Sequence, residues 1–184
     1  MQKWKVLKEE DVSPSKWFPI KKHSVELGNG KIIDDYFISP MGSVVMVLPI
    51  TKKGEVVLVK QYKHGLGEIV IELPAGFQQE CKTLEESAVA ELEEEAGIRT
   101  DVKNLISLGK NANNPTKIFS VVHGYLAKDL EFNSIQQLDG NEEIEILMVP
   151  AKRAIEMAMN GEIWVGDSII YLLKAFYKYP ELFR

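Results

Sequence analysis

Between residues 76 and 98 the chain reads GFQQECKTLEESAVAELEEEAGI, and the placement of its glutamates constrains the fold more than any other stretch. Wound as a helix at roughly 100° per residue, residues 83–96 bring Leu84, Ala88 and Leu92 into one apolar arc. Glu91 and Glu95 fall inside that arc, whereas Glu85, Glu86 and Glu93 point elsewhere. A surface helix turns its carboxylates to water or pairs them with Lys or Arg one turn away. This helix offers Glu91 no such partner. Glu91 and Glu95 are instead like charges at i,i+4 with Glu94 beside them, an arrangement that costs free energy unless protons or a cation offset it. A divalent metal is the simplest resolution. Hard carboxylate oxygens suit Mg²⁺ or Mn²⁺, ions that commonly bridge protein to substrate phosphates.

Composition narrows the partners. A length of 184 residues, 45% of them hydrophobic, fits one compact domain with a core. A net charge of −5 argues against nucleic acid or an anionic membrane as the main partner, since both need basic patches. A phosphate ligand must then be gripped locally, by metal. The first twenty residues mix Lys3, Lys5 and Lys8 with Glu9, Glu10 and Asp11 and do not read as a signal peptide. The longest apolar run, residues 44–50, is too short to span a bilayer. The lone Cys81 cannot form an internal disulfide, which fits a reducing compartment. The expectation is a cytoplasmic protein.

Strand-like runs at 23–27 and 32–39 flank Gly28-Asn29-Gly30, whose Asn-Gly step signals a hairpin and predicts an N-terminal β-ribbon. Further strands are expected at 43–49, 55–61 and 68–73, then at 102–108, 118–126 and 142–149 after the acidic helix. Gly97 stands where a helix ends in the left-handed conformation. Two helices close the chain, one from Ala151 to Met159 and one capped by Asp167 or Ser168. The predicted class is α/β in the α+β sense, a mixed sheet covered by helices on both faces.

Residues 76–98 also resemble the Nudix box, whose pattern is Gly, five residues, Glu, seven residues, then Arg-Glu-aliphatic-x-Glu-Glu-x-Gly-aliphatic. The chain matches at Gly76, Glu91, Leu92, Glu94, Glu95, Gly97 and Ile98. It departs at Lys82, where the family has the first Glu, and at Ala90, where it has the Arg. Those two family residues form a supporting ion pair, so their joint replacement strands no charge. The likeness extends to residues 60–65 (KQYKHG), residues 72–77 (ELPAGF) and Pro115, which are similar to the ADP-ribose and nucleotide-sugar pyrophosphatase branch, and it covers roughly residues 4–178.

The resemblance implies a Nudix fold, with residues 1–40 as a ribbon that dimerises and shapes the nucleotide pocket, and residues 41–184 as the hydrolase domain. It implies metal-dependent attack of water on the diphosphate of ADP-ribose or a related nucleoside diphosphate sugar. Glu91 and Glu95 would be metal ligands, Glu94 a direct or water-mediated one, and the Ala75 carbonyl another, with Gly76 admitting close backbone approach. For the general base, the pattern favours Glu142 over Glu143, and strand alternation would set Glu142 on one face and Glu143 with Glu145 on the other. Lys63 stands where relatives carry Arg near the diphosphate, supplying charge without the bidentate fork. Trp17, beside Phe18, is placed to stack on a base, with ribbon core packing as the competing reading. His23, His64 and His123 show no ligand spacing. Two other functions stay open: a catalytically weak nucleotide-binding module, motivated by Lys82 and Ala90, and a hydrolase of other nucleotide diphosphate derivatives.

Overall fold

The computed structural model describes residues 2–184 and divides into two units, residues up to 43 with 112–121, and residues 44–111 with 122–184. In the first unit, β1 (Lys5–Asp11), β2 (Lys21–Glu26) and the start of β3 (Ile32–Thr51) form an antiparallel meander. The β2–β3 turn closes as the Asn-Gly step predicts, with Leu27 N donating to Lys31 O at 2.8 Å and Gly30 in the left-handed region at φ 81°. β1 is absent from the sequence expectation because its residues, KVLKEED, are all exposed and carry no apolar alternation. Charge holds it in register. Glu9, Glu10 and Asp11 lie opposite His23, Lys22 and Lys21, with Lys21 Nζ 2.9 Å from Asp11 and His23 Nε2 3.0 Å from Glu9.

The second unit is built around β4 (Glu55–Lys63), which pairs antiparallel with β5 (Glu68–Glu72) on one side and with β9 (Ile144–Pro150) on the other. β3 continues into this unit, meets β4 at Ile50↔Val56, and pairs antiparallel with the short β6 (Ala75–Phe77). β7 (Ile106–Ala112) pairs with β8 (Ile118–Leu130), which also pairs with β3.

Alternation along the strands sorts the core into two layers. Met46, Leu48 and Ile50 of β3, with Val56 and Leu58 of β4, pack against α2 (Ala151–Asn160) and α3 (Gly166–Lys178) through Ala154, Met157, Tyr171 and Leu172. Val45, Val47 and Val57 face the other way, onto Ala88, Leu92 and Ala96 of α1 (Leu84–Ala96). Helices therefore cover both faces of this sheet, as expected. Gly124 is needed for the fit on the α3 side, because a Cβ there would stand 2.0 Å from the buried Tyr171 ring.

Several expected boundaries move. Pro40 and Gly42 read as a break, yet β3 runs through them, with Gly42 absorbing the bend at φ 90°. Beyond the strand expected at 68–73, Ala75 and Gly76 belong to a separate short strand, β6. Residues 102–104 form a 3-10 turn, and the strand starts at Ile106. Neither Asp167 nor Ser168 caps α3, whose N-cap is Val165. The Ser168 hydroxyl instead accepts from Leu73 N at 3.0 Å in the buried core.

The helix that carries the glutamates is fixed at both ends. Thr83 Oγ1 accepts from Glu86 N at 3.1 Å while Glu86 Oε2 accepts from Thr83 N at 2.8 Å, a capping box. Gly97, at φ 65°, closes the other end, its N–H donating to Glu93 O at 2.9 Å. Replacing Thr83 by Ala removes one half of the capping box and is expected to lower stability by about 1 kcal/mol. Urea denaturation checks this, and an unchanged midpoint would show that packing alone fixes the helix.

Candidate active site

Packing Leu92 and Ala96 into the core draws Glu95 inside and leaves Glu91 half-buried at the wall of a cavity. Glu95 is only 6% exposed, and its Oε2 accepts from Ala75 N at 2.9 Å, which ties α1 to β6. Glu91 lies against the backbone of Gly76, where a Cβ would stand 2.2 Å from its Oε2. Any side chain at position 76 would push the carboxylate away, so the glycine is required for close approach.

Glu91, Glu94, Glu95 and Glu142 line one cavity of about 260 Å³. A second cavity, of about 370 Å³, shares Glu91, Glu95 and Glu142 and adds Lys63, Glu72 and Asp167. The two are lobes of one site, acidic in the first and carrying an ammonium in the second. Lys63 is anchored there by Glu72, whose Oε1 is 2.9 Å from Nζ and also accepts from Gln61 Nε2 at 3.0 Å.

Glu142 precedes β9, so strand alternation does not operate on it. It closes a turn in which its N–H donates to Asp139 O at 2.9 Å and its Oε2 accepts from Asp139 N at 3.2 Å. Glu143 and Glu145 do not line the acidic cavity, and Glu145 is engaged by Lys60 Nζ at 3.0 Å. Trp17 and Pro115 belong to the first unit. Trp17 is 78% exposed, with Lys16 Nζ 4.6 Å from its ring centroid, and Phe18 is 51% exposed, so neither is buried in a ribbon core.

Sequence reasoning gave no place in the site to Gln79, Glu72 or Asp167, the last being expected only as a helix cap. Glu72 carried a readable signal, since it alternates with the buried Val70 along β5 and so points inward. Gln79 carried none, yet its Nε2 donates to Glu91 Oε1 at 3.2 Å and to Glu94 Oε2 at 3.2 Å.

Burial raises the Glu91 carboxyl to about 7, with Gln79 opposing and the charges of Glu94 and Glu142 adding to the rise. Burial likewise raises Glu95 to about 8, opposed by the Ala75 N–H and reinforced by Glu91. Clustered carboxylates that hold protons so high form a site short of positive charge. The donor set is all hard oxygen and fits a divalent cation of the Mg²⁺ or Mn²⁺ kind. Among the described residues no three His, Cys, Asp or Glu side chains already stand as a metal-binding group. Glu95 is turned to Ala75 N and Glu91 to Gln79, so holding a cation requires these side chains to turn toward it.

A NUDIX domain model matches residues 40–167. The chain belongs to the Nudix family. It is an enzyme of the Nudix pyrophosphatase kind, and a Nucleoside diphosphate sugar hydrolase N-terminal domain model matches residues 4–39. It is 29% identical to the ADP-ribose pyrophosphatase of Bacillus subtilis (strain 168) over 161 residues, covering 87% of this chain and 85% of that one. It is also 27% identical to the Methanol dehydrogenase activator of Bacillus methanolicus, covering 90% of this Nudix chain and 89% of the relative. A crystal structure of an ADP compounds hydrolase superposes with a TM-score of 0.85 at 22% identity, covering 98% of this chain and 96% of the other, which establishes likeness of fold. Among the described residues no helix is long and apolar enough to cross a membrane.

The raised carboxyls set a pH dependence in the cation-free protein. Between the ordinary Glu value of 4.5 and the folded values near 7 and 8, the folded state keeps protons that the unfolded state releases, so stability falls as pH rises through that window. His123, lowered mainly by burial, works in the opposite sense but only below its ordinary 6.5. With EDTA present, Tm is expected to fall from pH 6.5 to 8, and Glu95→Gln to flatten that slope. An unchanged slope in the variant would show that Glu95 does not hold a proton in the fold.

Proposed function

We propose that this Nudix hydrolase splits the diphosphate of ADP-ribose or a related nucleoside diphosphate sugar into a nucleoside monophosphate and a sugar phosphate, using a divalent cation, Mg²⁺ with Mn²⁺ as substitute. The observation that carries the reading is the convergence of Glu91, Glu94, Glu95 and Glu142 on one cavity with Lys63 in the adjoining lobe. The names of the ADP-ribose pyrophosphatase of Bacillus subtilis and, over 61 residues at 43% identity, the ADP-sugar pyrophosphatase of Mus musculus support the substrate class.

Glu91, Glu95 and Glu94 would hold the cation, with the Ala75 carbonyl as a further oxygen donor. When bound, it offsets phosphate charge and acidifies the attacking water. Lys63, steadied by Glu72, faces the diphosphate and counters its charge as a point cation. Glu142, held in its turn by Asp139 N, accepts the proton of the attacking water. The new bond joins that water oxygen to one phosphorus, and the bridging P–O bond breaks with its electron pair leaving on the other phosphate. Burial of Glu95 and partial burial of Glu91 reduce the screening of these charges by bulk water.

Trp17 and Pro115 are the proposed contacts to the nucleotide, with the exposed Trp17 ring available to stack on a base. Residues 1–40 are proposed to dimerise the protein, residues 41–184 forming the hydrolase domain, in a cytoplasmic setting. Exposed Trp4, Val6 and Leu7 on and beside β1 support that role as uncovered apolar surface.

The test is product analysis after incubation with a panel headed by ADP-ribose, in Mg²⁺ and in EDTA. AMP with ribose 5-phosphate, formed only with the cation and lost by at least a hundredfold in Glu95→Gln, is the expected outcome. Silence across the panel from folded, Mg²⁺-bound protein would instead favour a nucleotide-binding module.

A further inference from the structure

Gln79 extends its amide into the acidic lobe, and both ends of that amide are taken. Nε2 donates to Glu91 Oε1 at 3.2 Å, to Glu94 Oε2 at 3.2 Å and to Glu94 Oε1 at 3.3 Å. Oε1 accepts from Lys82 Nζ at 2.5 Å. Lys82 fixes the amide orientation, because an ammonium can only donate and so faces the amide oxygen, leaving the NH₂ toward the carboxylates. The segment that presents it is itself tied down: Gln79 N donates to Ser87 Oγ at 3.1 Å, and Lys82 N to Gln79 O at 3.2 Å. The result is a relay from a cation, through an amide, to two carboxylates. It starts at one of the two positions where the chain departs from the Nudix box, Lys82 standing in for an acidic residue, while Ala90 supplies no guanidinium.

We propose that Gln79, held by Lys82, is a positioning residue that occupies Glu91 and Glu94 in the cation-free enzyme and must be displaced for a divalent cation to bind, so that this relay sets the affinity of the site for the ion. Both oxygens of Glu94 and one of Glu91 are committed to a single NH₂ group, and a cation needs those same oxygens. Among the described residues no three acidic, His or Cys side chains stand ready as a metal-binding group, as expected where the carboxylates are already engaged. This inference rests on reading the cluster as a cation site.

The experiment is a calorimetric titration of the full chain with Mn²⁺ alone, without nucleotide, on wild type, Gln79→Ala, Lys82→Met, the double variant and Glu95→Gln. Gln79→Ala is expected to bind Mn²⁺ about tenfold more tightly, the worth of a charge-assisted hydrogen bond no longer broken. Lys82→Met is expected to tighten binding by a smaller factor, and the double variant to match Gln79→Ala, because the lysine acts through the amide. Unchanged or weaker binding in Gln79→Ala would overturn the proposal and make the amide a support for the carboxylates. Additive effects of the two substitutions would overturn the relay, leaving Lys82 as a direct charge. Loss of Mn²⁺ binding in Glu95→Gln upholds the cation site whichever way the relay falls, whereas retention there would overturn the site itself and the relay with it.

Discussion

The structure turns on the burial of negative charge against backbone. Leu92 and Ala96 must enter the core to seal one face of the sheet, and the helical repeat then carries Glu91 and Glu95 inward with them. Glu95 meets the Ala75 N–H and Glu91 lies on Gly76, so the carboxylates and β6 are positioned by one another. Such an arrangement is unfavourable in isolation, because buried carboxyls resist ionisation. The fold tolerates it because the rest of α1 is strongly determined, by a capping box at one end, by Gly97 at the other and by the apolar contact between them. Stability stored in the helix thus offsets the cost of a site poised for a cation.

The same economy of parts shapes the second lobe. Glu72 is a buried carboxylate on β5 that carries its own counter-charge in Lys63 and an amide donor in Gln61, both from the neighbouring β4. Its role is to aim the ammonium, while Glu91 and Glu95, which accept from amides but from no ammonium, remain deficient in positive charge. Neighbouring acidic groups in one cavity are therefore divided by their partners into one that is neutralised and others that await a ligand. Glu142 adds a carboxylate from a tight turn, a placement that depends on Asp139 and not on the sheet.

How much of this could be read from sequence depends on how local the determinants are. α1 and Gly97 were legible because helical period and a left-handed stop act within a few residues. The strands at 43–49 and 55–61 were legible as β-rich apolar runs, but the layer each residue faces was not, because both faces of these strands are buried. β1 was not, because it is held by charges across to β2 and not by apolar periodicity. The continuity of β3 through Pro40 and Gly42 depends on its sheet neighbours, which no window of sequence contains. Within the site, the box pointed to Glu91, Glu94 and Glu95, and the pattern beyond it reached Glu142, although the alternation expected to set it apart from Glu143 and Glu145 does not apply at a turn. Gln79 was invisible, since one amide at a position free to vary has no period and no chemistry until its neighbours are known.

We propose that the carboxylates carried inward on α1 hold a divalent cation. Anomalous diffraction from crystals of the protein grown with Mn²⁺ tests it most directly. A peak is expected among the carboxylates of Glu91, Glu94 and Glu95, within reach of the Ala75 carbonyl, with the Gln79 amide turned out of the lobe. A protein that binds Mn²⁺ elsewhere, with Glu91 and Glu95 still facing Gln79 and Ala75 N, would contradict it.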